Sequence, residues 1–317
     1  MTNLSFNLFR KSALIVAIAV STLSSSCKKD KTNPTQEKTI SGIVMSSNNF
    51  SLLKAALAQA GLTDVLAGKG PFTVFAPNND AFVAAGLDTE AKIKAVPVEN
   101  LKKILLYHVL GQQVPSAGIA MASNTAVKTA ADLNVYVTKN ASGVFINGAT
   151  VIQADLAASN GVVHVINAVL MPPGGNIVEV AQANSNFSFL VAAVLKASQG
   201  STDVVKVLSG AGPLTVFAPT NQAFINAGYP NIAAVQAADP AVLTSILTYH
   251  VIAGRIFSSD LTEGAKPATV NGGTVSITLT GGAKVKGNKN TTSSMISPAN
   301  IITTNGVIHV VDQVLLP

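Results

Sequence analysis

The chain repeats itself in order. Thr73-Val74-Phe75-Ala76-Pro77 returns as Thr215-Val216-Phe217-Ala218-Pro219, and Tyr107-His108-Val109 returns as Tyr249-His250-Val251, both 142 residues later. Asn160-Gly161-Val162-Val163-His164-Val165 returns as Asn305-Gly306-Val307-Ile308-His309-Val310 after 145 residues. Three blocks kept in sequence, with small insertions between them, require one structural unit built twice. Copy one runs from Thr39 to Pro173 and copy two from Gly174 to Pro317, with Pro172-Pro173-Gly174-Gly175 supplying the breaker chemistry of a short linker. Of 317 residues, 48% are hydrophobic, so each copy has the length and apolar content to bury its own core.

Local patterns agree between the copies. Phe50, Leu53, Leu57 and Ala60 follow the same helical steps as Phe187, Leu190, Val194 and Ala197, and Gly61 and Gly200 stand where such helices would stop. The Thr-Val-Phe-Ala-Pro block predicts a short strand ended by proline. Asn78 or Thr220 then caps a short helix that turns Phe82 or Phe224 inward. A further helix begins at Asp239-Pro240 and places Leu243, Ile246, Leu247 and His250 on one face, as Leu101, Ile104, Leu105 and His108 do in copy one. The later half of each copy alternates, as in Val135 and Val137 or Val275, Ile277 and Leu279, with turns at Gly143 and Gly281-Gly282. Each copy closes on a near-continuous apolar strand that expects burial on both faces. Helices first and strands later predict an α+β unit.

Residues 1–26 carry Arg10 and Lys11, an apolar run from Ala13 to Val20, and small polar residues: the architecture of a cleaved signal peptide. The run is less than half the roughly 20 residues a spanning helix needs. Cys27 is the one cysteine of the chain, which excludes an internal disulfide. Its setting resembles the lipobox of bacterial lipoproteins, which implies lipid attachment at Cys27, although Ser24 stands where that motif has an aliphatic residue. Residues 27–38 then form a lipidated cysteine and a polar tether with a reach on the order of 35 Å. The formal charge of +6 is concentrated at this end, since from Thr39 onward 15 bases face 13 acids. A nucleic-acid footprint needs a dense basic stripe, and none is present, so no nucleic-acid partner is expected. Lys284, Lys286 and Lys289 fit a solvated hairpin face better than an anion site.

The repeated blocks, Thr-Val-Phe-Ala-Pro with its downstream Ala-Phe, then Tyr-His-Val, then Asn-Gly-Val-x-His-Val ending near Val-Leu and proline, resemble the signature segments of the fasciclin domain over nearly all of residues 39–317. The resemblance implies two tandem α+β domains, 39–173 and 174–317, each with helices packed around a β-wedge or sandwich. It also implies cell adhesion or matrix attachment, no cofactor and no enzymatic activity. In some relatives the Tyr-His segment is tied to partner contact, which makes Tyr107, His108, Tyr249 and His250 candidates for it. The partner expected is an extracellular protein or polysaccharide, and the membrane itself through the lipid; the place is the cell envelope, as an outer-membrane lipoprotein.

The residues themselves temper the Tyr-His expectation. His108 and His250 share an apolar helix face, and His164 and His309 sit in apolar strands, so each imidazole is expected to satisfy buried hydrogen bonds within its own copy. No nucleophile elbow, HExxH or P-loop is present, and no two histidines have ligand spacing for a metal. The rival readings are a periplasmic hydrolase with a histidine base and a carrier of a small apolar ligand. The first needs an imidazole shared between a Ser or Thr and a carboxylate in an open pocket, and the second needs a cavity of roughly 300 Å³ or more. At Asn300 copy two departs from copy one's Asp155, which puts contacts relying on that carboxylate in doubt.

Overall fold

The computed structural model describes residues 38–317; the expected signal peptide, Cys27 and the tether through residue 37 lie outside them. In copy one, α1 (Ile40–Ser46), α2 (Ser51–Gln59) and α3 (Thr63–Ala67) precede β1 (Phe72–Pro77). After β1 come α4 (Asn79–Ala84), α5 (Glu90–Ala95) and α6 (Val98–Tyr107). The chain then turns to β2 (Val109–Leu110), β3 (Ala122–Lys128), β4 (Asn134–Asn140), β5 (Gly143–Ile146), β6 (Ala149–Ala158) and β7 (Gly161–Ile166). Copy two repeats the order with α7 (Ile177–Gln182), α8 (Ser188–Ala197), α9 (Val204–Ser209), β8 (Leu214–Pro219), α10 (Asn221–Asn226), α11 (Ile232–Ala237) and α12 (Pro240–Tyr249). Its strands follow as β9 (Val251–Ala253), β10 (Ser276–Thr278), β11 (Lys284–Lys286), β12 (Ser294–Met295), β13 (Ile301–Thr303) and β14 (Gly306–Val311).

The expected helix faces are the buried ones: Phe50, Leu53, Leu57 and Ala60 in copy one and their counterparts Phe187, Leu190, Val194 and Ala197 in copy two. Asn78, Thr220 and Asp239 each accept the N-terminal amide bond expected of a cap, from Ala81, Ala223 and Ala241. Gly61 ends α2 at a φ of 67°, whereas Gly200 falls two residues beyond the Ser198 cap of α8. The short helices α1, α3, α5 and their counterparts had no sequence expectation, because one or two turns are too few for a period to show.

In copy one the first and last strands, β1 and β7, lie side by side and parallel, as the second and third strands of a seven-stranded sheet ordered β2-β1-β7-β6-β5-β4-β3. Strand alternation divides each central strand between two cores. Val74 and Ala76 of β1, with Val163 and Val165 of β7, face the helices, whereas Phe75 and Ile166 face a second core with Tyr107, Leu110, Val135 and Val137. His164 lies on that second face, stacked on Phe75 with ring centroids 6.0 Å apart. Copy two repeats the division, with Val216, Ala218, Ile308 and Val310 toward the helices and Phe217 and Val311 toward the β core. Both closing strands are buried along their whole length, as expected.

The copies differ in sheet continuity. Copy two breaks into β13-β14-β8-β9 and β10-β11-β12, and the break falls where Pro298 stands in place of Gln153 of the unbroken β6. Proline brings no N–H to the ladder, so the strand divides into β12 and β13 around it. Bonds from Ser297 N to Val310 O and from Val310 N to Pro298 O, both 3.0 Å, keep the segment in line.

Candidate functional site: the Tyr-His blocks and the junction between copies

α6 and α12 end on the Tyr-His pair, with His108 and His250 as C-terminal caps. His108 Nε2 accepts from Leu170 N at 2.9 Å, so Nδ1 carries the proton and donates to Ile104 O at 2.8 Å. One ring thus satisfies an orphan helix carbonyl and pins the segment leaving β7. His250 does the same between Leu315 N and Ile246 O, both at 2.8 Å. Burial drives both imidazoles down to a pKa of about 4, so both are neutral at pH 7.

His164 uses the opposite tautomer. Its Nδ1 accepts from Asp155 N at 3.2 Å, leaving Nε2–H to donate to Val114 O at 2.9 Å. His309 matches it between Asn300 N and Ile256 O, and burial lowers its pKa. Both nitrogens of every imidazole are therefore committed to main chain. The arrangement a histidine general base requires, one nitrogen on a hydroxyl or water and the other on a carboxylate, does not occur among the four. Among the described residues there is also no group of three His, Cys, Asp or Glu positioned to hold a metal ion.

The tyrosines are equally committed. Tyr107 Oη donates to Asn134 O at 2.7 Å and accepts from Asn147 Nδ2 at 3.0 Å, and burial pushes its pKa to about 12. Tyr249 Oη donates to Thr274 O at 2.5 Å and accepts from Asn288 N at 3.0 Å. Tyr107 and Tyr249 are 0% exposed and His108 and His250 are 2% exposed. These four tie the helical layer to the strands, and their burial gives no support to the expectation that they contact a partner.

Two further repeated groups do comparable work. Asn160 and Asn305 open the last block; Asn305 Oδ1 accepts from Ile177 N at 2.9 Å while Nδ2 donates to Leu208 O and Gly210 O at 2.8 and 2.7 Å. Asn160 makes the equivalent bonds to Ile40 N, Leu66 O and Gly68 O. Asp155 and Asn300 both adopt positive φ, 58° and 63°, a conformation Asx side chains tolerate. Asp155 accepts from Ser116 N and from the Ser116 hydroxyl, and these bonds hold its carboxyl below the usual range. Asn300 accepts from Ser258 N at 2.7 Å and donates to Ser258 Oγ at 2.7 Å, so the departure from carboxylate to amide keeps the contact by reversing the hydroxyl's role.

The residues that join the copies are not repeated. Arg255 lays its guanidinium over the Tyr136 ring, 3.8 Å from the centroid, where Gln113 stands at the equivalent place in copy one. Asp260, equivalent to Gly118, accepts from Thr138 Oγ1 at 2.9 Å and Asn124 Nδ2 at 3.2 Å across the junction, and from its own Phe257 N at 2.9 Å. Tyr136 also packs against the small apolar cluster of Phe257, Ile302 and Val307. The Asn147-Gly148 turn, with φ of 50° and 81°, presses on Asn300, where a Cβ on Gly148 would run into the amide. The buried side-chain atoms without a partner among the described residues, Asn124 Oδ1, Arg255 Nε and Ser259 Oγ, all lie at this junction. It is thus the least fully satisfied part of the described structure. Asp260→Ala, which leaves the Thr138 hydroxyl and the Phe257 N–H without their acceptor while Asn124 keeps its bond to Arg255 O, is expected to cost about 2 kcal/mol. Scanning calorimetry would then show copy one and copy two separating into two transitions; a single transition at the wild-type temperature would contradict the assignment.

Beside the junction lies a cleft of about 830 Å³, walled by Asn147–Ala149 and Asn167–Gly174 of copy one and by residues 179–185 and 299–302 of copy two. Inside the helical core of copy two there is an apolar void of about 30 Å³ beneath Leu190, Val194 and Leu247. That is room for a water or two, far below the few hundred Å³ that a small-molecule carrier encloses.

Residues 48–172 and 185–317 each match the family model of the fasciclin domain. The chain belongs to the fasciclin-domain family. Its α+β organisation as two tandem fasciclin domains accords with that assignment. The chain is similar to human periostin, with 30% identity over 269 residues covering 81% of this chain and 29% of periostin. It is similar to the transforming growth factor-beta-induced protein ig-h3 of Sus scrofa, with 28% identity over 79% of this chain and 35% of that protein. Protein sll1483 of Synechocystis is 40% identical over 136 residues, 43% of this chain and 74% of that protein. This chain therefore spans about a third of the length of the two animal relatives. A solved FAS1 domain pair from the insect cell adhesion molecule fasciclin I aligns over 84% of this chain and 96% of that chain, at 21% identity and a TM-score of 0.41.

Proposed function

We propose that this protein is a non-catalytic adhesion and binding module of the bacterial cell envelope, held to a membrane by a lipid on Cys27 and displaying its two fasciclin domains, 39–173 and 174–317, as one unit. The observation that carries the reading is the commitment of all four imidazoles and both block tyrosines to main-chain and side-chain partners within their own copy. The repeated chemistry of this chain is scaffolding, and what it offers outward is shaped surface. Fasciclin domains occur in adhesion proteins, and the Arg255–Tyr136 and Asp260 contacts favour a single composite surface over two heads swinging on a flexible linker. The partner is an extracellular protein or polysaccharide, and the outer membrane is the proposed seat of the lipid.

The anchor is tested by intact mass and membrane fractionation of the native protein beside Cys27→Ala. The wild type is expected to begin at Cys27, carry the added acyl mass and sediment with membranes, while the variant is released. An unmodified wild-type cysteine would remove the anchor and leave a released binding protein.

A further inference from the structure

The geometry points to the cleft between the two domains as a docking groove for an extended polypeptide segment bearing a basic side chain. This rests on the binding-module reading and names where and what that module binds.

The groove is built from both copies, so it exists only in the tandem pair. Amide side chains set its polar character: Asn147, Asn167, Asn184 and Asn300 all line it, with Met171 adding an exposed apolar contact. The one charged residue on its walls is Glu179, which is exposed; no Lys or Arg lines it. That balance disfavours acidic polysaccharide and phosphate and favours a neutral chain with a cation opposite Glu179. No Trp or Tyr lines the groove, so it lacks the stacking platform typical of sugar recognition.

Backbone availability selects a polypeptide. Along one wall the chain leaving β7 runs outside any strand, pinned at Leu170 by His108, while the N–H groups of Val169 and Met171 meet no backbone carbonyl among the described residues. Along the other wall stands β13, the terminal strand of its sheet, contributing Ile301. Main-chain groups on an extended wall give affinity to another extended chain, and the side chains between them give selectivity. A cleft of about 830 Å³ accommodates a short peptide segment.

The probe is a phage-displayed library of random 12-residue peptides, panned on the intact protein. Enriched peptides are expected to be poor in acids and to carry Lys or Arg, and synthetic versions of them should bind the intact protein with micromolar affinity. Ala183→Trp fills the groove from an exposed cap position of α7, and it should weaken binding at least tenfold without changing the melting temperature. Glu179→Gln keeps a side chain able to close the capping box with Asn176, and should weaken only the basic peptides, by about fivefold. No enrichment, acidic consensus sequences, or equal binding to Ala183→Trp would overturn the proposal, as would a neutral oligosaccharide displacing the peptides. If panning fails while cells still attach through the two domains, the groove is refuted and the module reading stands; loss of both refutes both.

Discussion

Asn305→Ala is expected to lower stability by about 4 kcal/mol and the melting temperature of copy two by on the order of 10 °C. Asn305 is nearly buried and joins three main-chain groups at once: the first amide of α7 and two carbonyls at the end of α9. Alanine forfeits three bonds and leaves the Ile177 N–H and the Leu208 and Gly210 carbonyls without partners in places water reaches poorly. The identity of the polar group matters as much as its presence. Asn305→Asp keeps the acceptor for Ile177 but sets a carboxylate against two carbonyl oxygens, so it should be no better than alanine. Asn160→Ala, at a less buried position, should cost about 2 kcal/mol. Urea melts of the three variants, followed by far-ultraviolet circular dichroism, order them; equal stability of Asn305→Asp and wild type would show that the staple is not formed.

Acid should destabilise both domains well above the carboxylate range. His108 and His250 titrate at about 4 in the folded protein because burial penalises the charged ring, against about 6.5 in the unfolded chain. Between those values the unfolded state binds more protons, so the stabilisation is fully present above pH 6.5 and is lost as pH falls toward 4. At full slope each ring contributes about 1.4 kcal/mol per pH unit, so about 3 kcal/mol disappears from each domain across the window. His309, lowered by burial as well, acts in the same direction in copy two. Asp155 adds a loss below its ordinary carboxylate range, as its bonds from Ser116 are given up on protonation. Calorimetry at pH 7, 6, 5 and 4 should show the melting temperature falling steadily below pH 6.5. A flat profile down to pH 4.5 would mean the rings are not buried as described.

The duplication explains what was legible before any coordinates. Whatever serves the interior of one copy must appear in both, so the helix faces, caps, central strands and histidines announced themselves by repetition. The partner-contact expectation for Tyr107, His108, Tyr249 and His250 came from family resemblance, and the apolar helix face that holds His108 and His250 already argued against exposure of the two histidines. Asn160 and Asn305 were visible as repeated letters, but a side chain bonding residues more than 90 positions away leaves no local pattern. The junction was the least legible part. Tyr136, Arg255 and Asp260 join unlike surfaces of the two copies, so comparison of the chain with itself passes over them, and only the fold brings them together. The break in copy two's sheet was written in a single Pro298, which acts by the bond it cannot donate.

The central claim, that the two fasciclin domains work as an attachment module, is tested most directly by whole-cell attachment and aggregation in a strain producing the chain with residues 39–317 deleted, beside wild type and Cys27→Ala. The account predicts that attachment falls in both altered strains, by a similar factor, with no enzymatic turnover lost. Unchanged attachment, accompanied by loss of a measurable turnover, would contradict it.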